Sequence, residues 1–365
     1  MIPMQNDQAM LPSYLINRDY RNIIKSHDNV ARLCSNESPL GTNPNVINAI
    51  KHSLTESHLY PDPECHELVT LISETLQIDT ESILFGNGST ELIELASRCT
   101  LENSGNGIIS EYAYPLYEIL VKRYQGVVKI IPTIHWEYDL DSFRRSIDAD
   151  TKIIYIANPN NPTGSWISHN QLIEFMNDVP NRTLVIIDEA YCDFMEGMPG
   201  YASSVSLIHT YANLLVTRTF SKAYGLAGLR IGYALGHPHI IQAMKMQKQS
   251  ANVNRIAQYA ALAAYQDDRY RETVIHEVEK NRIFLESRLK AMDIPFLKTH
   301  TNFMLVKVNQ ASIMAYKKLL THGIIIQPME LYQLQNYIRI SIGGEGDIIK
   351  LLTHLPNIFE DSHDR

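Results

Sequence analysis

The sequence predicts an α/β fold: a large domain with a mostly parallel central sheet flanked by helices, joined to a smaller α+β domain. Three observations carry this expectation. Short β-branched runs alternate with helix-period segments through the middle of the chain. Polar residues gather just after the C-terminal ends of those runs, where open α/β sheets bind their ligands. Beyond about residue 255 the alternation gives way to one long amphipathic stretch and further short apolar runs.

In chain order, "SILFGNGSTELIELASRCTL" reads as a strand end, a glycine turn and a helix from about Ser89. "NGIISEYAY" reads as a strand that ends in tyrosines. "VVKIIP", "TKIIYIANP", "TLVIIDEAY" and "LLVTRTFSK" are further short strands, with helices such as "SHNQLIEFMNDV" between them. "DDRYRETVIHEVEKNRIFLESRLKAM" has the period of a long amphipathic helix. "NFMLVKV", "GIIIQP" and "YIRISIG" are short strands, and "ASIMAYKKLLTH" is a helix between the first two. The expected division is a large domain over 45–255 and a small one over 256–365, with residues 1–44 packing against the latter.

Composition bounds the function. A chain of 365 residues has the length of about two domains and can bury roughly three quarters of its unfolded surface. Hydrophobic residues are 45% and charged residues 20%, ordinary for a globular protein. A net charge of −8 and the absence of a Lys/Arg-rich block argue against a nucleic-acid partner. The four cysteines show no C-x-x-C spacing, so neither a metal site nor a redox pair is expected; free thiols in a reducing compartment are. The opening residues lack the basic start and apolar core of a signal peptide, and no run reaches the length of a membrane span. The expected location is the cytoplasm.

Four motifs carry chemistry. In "VTRTFSKAYGLAGLRIGYALG" a single lysine, Lys222, closes a buried strand, and Arg230 follows a glycine-rich turn. A desolvated lysine has a lowered pKa and can form a Schiff base with an aldehyde; a lysine in this place can also simply reach the surface. Arg230, Ser221 and nearby backbone N–H groups would suit a phosphate. In "GNGSTELIELAS", Gly86 and Gly88 make a turn, and Ser89 or Thr90 opens a helix whose N-terminus attracts anions. The same residues would also serve as a plain capping box with Glu91 or Glu94. In "IIDEAY", Asp188 ends an apolar strand and needs a cationic partner, either a structural ion pair or a pyridinium nitrogen. In "NPNNPTG" two prolines and a glycine fix a turn that presents asparagine amides. Together these supply an amine for an aldehyde, a counter-ion for a ring nitrogen, an amide and a phenol for a ring hydroxyl, and a phosphate cradle. Pyridoxal 5'-phosphate needs all of them.

The motifs "NPNNPTG", "DEAY" and "SKAYGLAGLRIGY", in this order, resemble the class II aminotransferases of the fold-type-I, pyridoxal-phosphate-dependent group. "SNESPLGTNPNVINAI", "HLYPDPE" and "GNGSTELI" narrow the resemblance to histidinol-phosphate aminotransferases and near relatives, over about residues 11–355. The resemblance implies that Lys222 joins the cofactor aldehyde and serves as general base and then acid. It implies that Asp188 keeps the ring nitrogen protonated, that Asn161 and Tyr191 bond the ring 3'-oxygen, and that Tyr114 stacks on the ring. Ser89, Thr90, Thr219, Ser221 and Arg230 would hold the phosphate, and Arg339 the anionic end of the substrate. Tyr60 would reach the cofactor of a neighbouring subunit, which implies a homodimer with shared sites.

Two departures stand out. The family usually has an arginine where "GIIIQPM" places Gln327, and that arginine joins the counterpart of Arg339 on the substrate phosphate. A neutral glutamine cannot make the charge-assisted bidentate contact. The segment "LPSY", which carries the substrate contact Tyr14, also differs from the family order, in which proline directly precedes tyrosine. The expected reaction is amino transfer between L-histidinol phosphate and 2-oxoglutarate, a step of histidine biosynthesis. An aminotransferase for an aromatic or other amino acid is the alternative that Gln327 favours, and a threonine-phosphate decarboxylase-like enzyme is a further one. A PLP-binding transcription regulator would need an added basic helix pair, and a dinucleotide domain a G-x-G-x-x-G turn; neither is present.

Overall fold

The computed structural model describes residues 29–101 and 105–359. Tyr14 lies outside the described residues.

Seven apolar runs pair into one sheet. They are β2 (Ile83–Gly86), β3 (Asn106–Ser110), β4 (Val127–Ile131), β5 (Thr151–Ala157), β6 (Leu184–Asp188), β7 (Leu214–Thr219) and β8 (Gly232–Gly236). The order across the sheet is β2-β8-β7-β6-β5-β3-β4. All neighbours are parallel except at β8, which runs antiparallel to both β2 and β7. The central strands read as unbroken apolar runs because both faces are covered. Ile154 and Ile156 of β5 enter one core with Val185 and Ile187 of β6, while Ile153, Tyr155 and Ile186 enter the core on the other face. That is the two-residue alternation of a strand with no solvent side.

The flanking helices follow from periodicity and capping. They are α1 (Pro44–Ser53), α2 (His66–Leu76), α3 (Ser89–Leu101), α4 (Pro115–Arg123), α5 (Leu140–Arg145), α6 (His169–Asp178), α7 (Pro238–Gln247) and α8 (Arg255–Tyr265). In α3, Leu92, Ile93, Leu95 and Ala96 are buried between polar Glu91 and Glu94. In α4, Pro115 occupies the first turn, where its missing N–H costs nothing, and Lys122 and Arg123 lie in the last turn, facing the negative end of the helix dipole. In α6, Ser168 and Gln171 form a reciprocal capping box.

A second sheet, β1-β10-β11-β9, is built from β1 (Ala31–Leu33), β9 (Phe303–Lys307), β10 (Ile324–Pro328) and β11 (Tyr337–Ser341). β1 lies parallel to β10, and β11 runs antiparallel to both β10 and β9. The long helix α9 (Asp268–Ala291) lays Val274, Val278, Leu285 and Leu289 into the core of this sheet, together with α10 (Ser312–Leu320) and α11 (Glu345–His354). One boundary differs from the sequence reading. Helix α8 buries Ala257, Ala260, Ala261 and Ala264 in the core of the seven-stranded sheet, so the change of pattern at 255 comes before the change of core. Small alanines let α8 sit close on α1, an attachment that composition does not reveal. Tyr191 and Ala223, from loops of the large sheet, enter the core of the small sheet, and the cavity described next lies at that junction.

Candidate active site

Parallel pairing sets the floor of the site. Ala157, Asp188 and Thr217 are in register across β5, β6 and β7, so these strands end side by side. Beyond their ends lies a cavity of about 400 Å³. Of the residues singled out from sequence, Ser89, Thr90, Tyr114, Asn161, Asp188, Tyr191, Thr219, Ser221, Lys222, Arg230, Gln327 and Arg339 all line it. Tyr60 does not; it is 91% exposed.

Asp188 is buried, and burial raises its pKa. Its Oδ2 accepts from the Tyr117 hydroxyl at 2.9 Å and its Oδ1 from the Thr217 hydroxyl at 3.2 Å. It makes no ion pair among the described residues. Of the two partners open to it, a structural ion pair is not found among the described residues: the carboxylate has neutral donors behind it and the cavity in front. This is the environment that would hold a cationic ring nitrogen.

Lys222 follows β7 and points into the cavity. Its Nζ donates to the Ser35 carbonyl at 3.0 Å and stands 5.6 Å from the centre of the Tyr191 ring. Desolvation by its surroundings, followed by the charges of Arg339 and Arg230, lowers its pKa to about 7, against the opposing pull of Glu37 and Asp188. Part of the population is therefore a neutral, nucleophilic amine near neutral pH.

Arg230 and the glycine turn form a cradle at the other end. β2 and β8 pair Gly86 with Gly232, which brings the start of α3 beside Arg230. Gly88 has φ +84°, and a Cβ there would lie 2.6 Å from Arg230 Nη2. A Cβ on Gly232 would lie 2.7 Å from the Ser89 nitrogen. Arg230 itself has φ +55°, a left-handed conformation uncommon for side-chain-bearing residues. Its Nη1 donates to the Ala227 carbonyl at 3.1 Å and reaches Ser221 Oγ at 3.5 Å. Thr219 Oγ1 donates to Ser221 Oγ at 2.9 Å. Hydroxyls, a guanidinium and a helix N-terminus thus converge on one point, as an anion requires. Glu91 also reaches back, accepting from the Asn87 N–H at 2.5 Å, but Ser89 is the first residue of α3 and not its cap, so only the glutamate half of a capping box is formed.

The third wall comes from the small sheet. Arg339 on β11 is buried; its Nη1 donates to Asn161 Oδ1 at 2.5 Å and its Nη2 to the Cys34 carbonyl at 2.9 Å. No carboxylate pairs with it among the described residues, and its Nε is unsatisfied. Gln327 on β10 is its direct cross-strand partner, buried as well, with Nε2 bonded to the Pro328 carbonyl at 3.0 Å. Asn161 spends its amide oxygen on Arg339, which leaves its NH2 as a donor for the cavity. Tyr114 caps α4 and meets Tyr117 edge-on at 5.8 Å.

The sequence reading missed several contributors. Tyr117 lies three residues after Tyr114 on the same helical face, a spacing that could have indicated it. Thr217 lies two residues before Thr219 on β7, hence on the same strand face. Ser35, Asn36 and Tyr332 reach the cavity from segments near or within the small sheet; Ser35 and Asn36 open the "SNESPLGTNPNVINAI" motif, yet no local pattern assigns them to the site.

The residues present fit pyridoxal 5'-phosphate: an amine of lowered pKa, a buried carboxylate with no ion pair among the described residues, and an anion cradle that glycine alone permits, all at one cavity. Comparison with known proteins agrees. The family model described as aminotransferase class I and II matches residues 28–355. A histidinol-phosphate aminotransferase of Caldicellulosiruptor saccharolyticus is 35% identical over 331 residues, which cover 91% of this chain and 92% of that one. A second histidinol-phosphate aminotransferase, from Pseudomonas fluorescens, is 36% identical over 90% of this chain and 89% of its own. The crystal structure of histidinol-phosphate aminotransferase from Sinorhizobium meliloti in complex with pyridoxal-5'-phosphate superposes with a TM-score of 0.86 at 29% identity, covering 93% and 94% of the two chains.

Proposed function

The chain belongs to the class I and II aminotransferases, and from that premise we propose that it uses pyridoxal 5'-phosphate to move an amino group between L-histidinol phosphate and 2-oxoglutarate. The observation that carries this reading is the single cavity that holds Lys222 with a pKa near 7, the cation-free Asp188 and the Arg230 cradle. The cofactor, when bound, supplies an aldehyde and an electron-withdrawing ring.

The chain's own residues do the rest. Arg230, Ser89, Thr90, Thr219 and Ser221 bind the phosphate through charge, hydroxyls and the α3 N-terminus. Asp188 holds a proton on the ring nitrogen, because a cation there relieves its unfavourable burial. Tyr117 and Thr217 fix the carboxylate's direction. Asn161 and Tyr191 would orient the ring through its hydroxyl oxygen, and Tyr114 would stack on it; all three line the cavity. Lys222 Nζ, neutral in part near pH 7, would act as general base toward the substrate α-proton and then as general acid toward the former aldehyde carbon. Arg339 binds the anionic end of the substrate, its guanidinium already directed by Asn161 and Cys34.

Gln327 supports a second reading within the same chemistry. Among the described residues one buried arginine faces the substrate end, where the family usually brings two, so a donor with a single carboxylate suits the site as well as a phosphorylated one. Shared sites in a homodimer remain part of the proposal. They are supported by Tyr60, 91% exposed, and by exposed Leu54 and Leu59 beside it. Among the described residues no helix is long and apolar enough to cross a membrane; a cytoplasmic location is proposed with the function.

The test is a half-reaction screen. Purified protein loaded with the cofactor is mixed separately with L-histidinol phosphate, L-glutamate, phenylalanine, tyrosine and phosphothreonine, and its near-visible absorption is followed. Rapid loss of the band with histidinol phosphate and glutamate is expected. Loss with an aromatic donor but not with histidinol phosphate would transfer the enzyme to the second reading, and carbon dioxide release from phosphothreonine would replace the reaction type.

A further inference from the structure

Residues 34–36 lie along one face of β11, and each meets the site differently. The Cys34 carbonyl accepts from Arg339, and the Ser35 carbonyl accepts from Lys222. Asn36 turns to Ser341, two residues beyond Arg339 and so on the same face of the strand. The Asn36 N–H donates to Ser341 Oγ at 2.7 Å, and Ser341 Oγ donates back to Asn36 Oδ1 at 3.0 Å. Asn36 Nδ2 donates to the Tyr191 hydroxyl oxygen at 3.0 Å, and Asn302 Nδ2 donates to the Asn36 carbonyl at 2.9 Å. Asn36, Ser341 and Asn302 are 1%, 2% and 0% exposed, and Asn36 has φ +54°. A buried asparagine with both ends of its amide committed holds its neighbours in fixed directions, and asparagine tolerates the left-handed backbone here.

The amide of Asn36 has a definite orientation in this network. Ser341 Oγ accepts the Asn36 main-chain N–H and gives its single hydrogen to the Asn36 side-chain oxygen. The NH2 at the other end of the amide faces the Tyr191 oxygen. The Tyr191 oxygen is thereby an acceptor from Asn36, so its own hydrogen is not spent on Asn36, and Tyr191 lines the cavity.

We infer that Asn36 and Ser341 are positioning residues that set the polarity of the Tyr191 hydroxyl, so that it donates toward an anionic ring oxygen of the bound cofactor. The inference rests on the pyridoxal-phosphate reading above. It joins three elements far apart in sequence: the segment after β1, the end of β11 and the loop after β6. The small sheet therefore contributes to the cofactor as well as to the substrate.

The test is a spectral titration of the cofactor-loaded protein, reading the pH at which its near-visible band shifts. A hydroxyl donated to an oxyanion favours the deprotonated form, so losing it raises that midpoint. Tyr191→Phe should raise it by about one pH unit. Ser341→Ala and Asn36→Leu, which add no charge, should each raise it by about half a unit or more, and should add almost nothing in a Tyr191→Phe background. Ser341→Thr, which keeps the hydroxyl, should retain the wild-type midpoint. A merely structural role would lower thermal stability in these variants without moving the midpoint. Unchanged midpoints in Ser341→Ala and Asn36→Leu, or shifts that add in full to that of Tyr191→Phe, would overturn the inference; if Asn36→Leu fails to fold, the Ser341 pair decides alone. Failure of the wild-type chain to bind the cofactor would instead overturn the reading beneath it, and this one with it.

Discussion

Gln327→Arg tests the substrate end of the site most sharply. Gln327 and Arg339 face each other across antiparallel β10 and β11, in direct register, and are 5% and 7% exposed. Side chains so paired begin about 5 Å apart. A second guanidinium there would grip a phosphate together with Arg339. A hydrogen bond to a charged group contributes about 1.5–3 kcal/mol. At about 1.4 kcal/mol per decade, kcat/KM for L-histidinol phosphate should rise roughly 10- to 100-fold. The free protein should suffer: two cations about 5 Å apart at an effective dielectric of about 20 repel by about 3 kcal/mol. The melting temperature should therefore fall, and inorganic phosphate should restore it. The assay is single-turnover absorbance with histidinol phosphate and, as control, histidinol, which lacks the phosphate. No gain with histidinol phosphate, or an equal gain with histidinol, would refute the assignment of Gln327 to the substrate anion.

Other expectations follow from the same geometry. Lys222→Ala should abolish both turnover and the near-visible absorption of the bound cofactor, since no other lysine among the described residues lines the cavity; normal turnover would remove Lys222 from its role. Gly88→Ala should weaken cofactor affinity in equilibrium dialysis and cost about 1–3 kcal/mol of stability, because its Cβ would meet Arg230 Nη2 at 2.6 Å in a φ +84° backbone; unchanged affinity would disprove the cradle. In the cofactor-free protein, Lys222→Met should raise the melting temperature most below about pH 7, with the gain fading as pH rises toward 10.5. The sign follows from linkage: over that interval the unfolded chain holds a proton on this lysine that the folded chain has lost, so wild-type stability climbs with pH. A pH-independent difference in melting temperature would show that the lysine is not desolvated.

The fold and part of the site could be read locally. Lys222, Asp188 and Asn161 stand at the ends of apolar runs, and such runs become buried strands whose C-terminal ends share one edge of a parallel sheet. Tyr117 was legible in principle from its helical spacing to Tyr114. Asn36, Ser35 and Ser341 were not, since their meeting depends on β1 pairing with β10 and not on any local pattern. The alanine face of α8 misled for a similar reason: alanines record close approach without naming the surface approached.

What the sequence determined by itself is the order and type of the elements and the chemistry of the motifs, because strand and helix periods, turn residues and residue functionality are local properties. Only the tertiary structure decided that Asp188 would have no protein cation, that Lys222 would titrate near 7, and that Gln327 would stand opposite Arg339. Those facts depend on desolvation and on strand register, and both arise only when segments distant in the chain pack around one cavity.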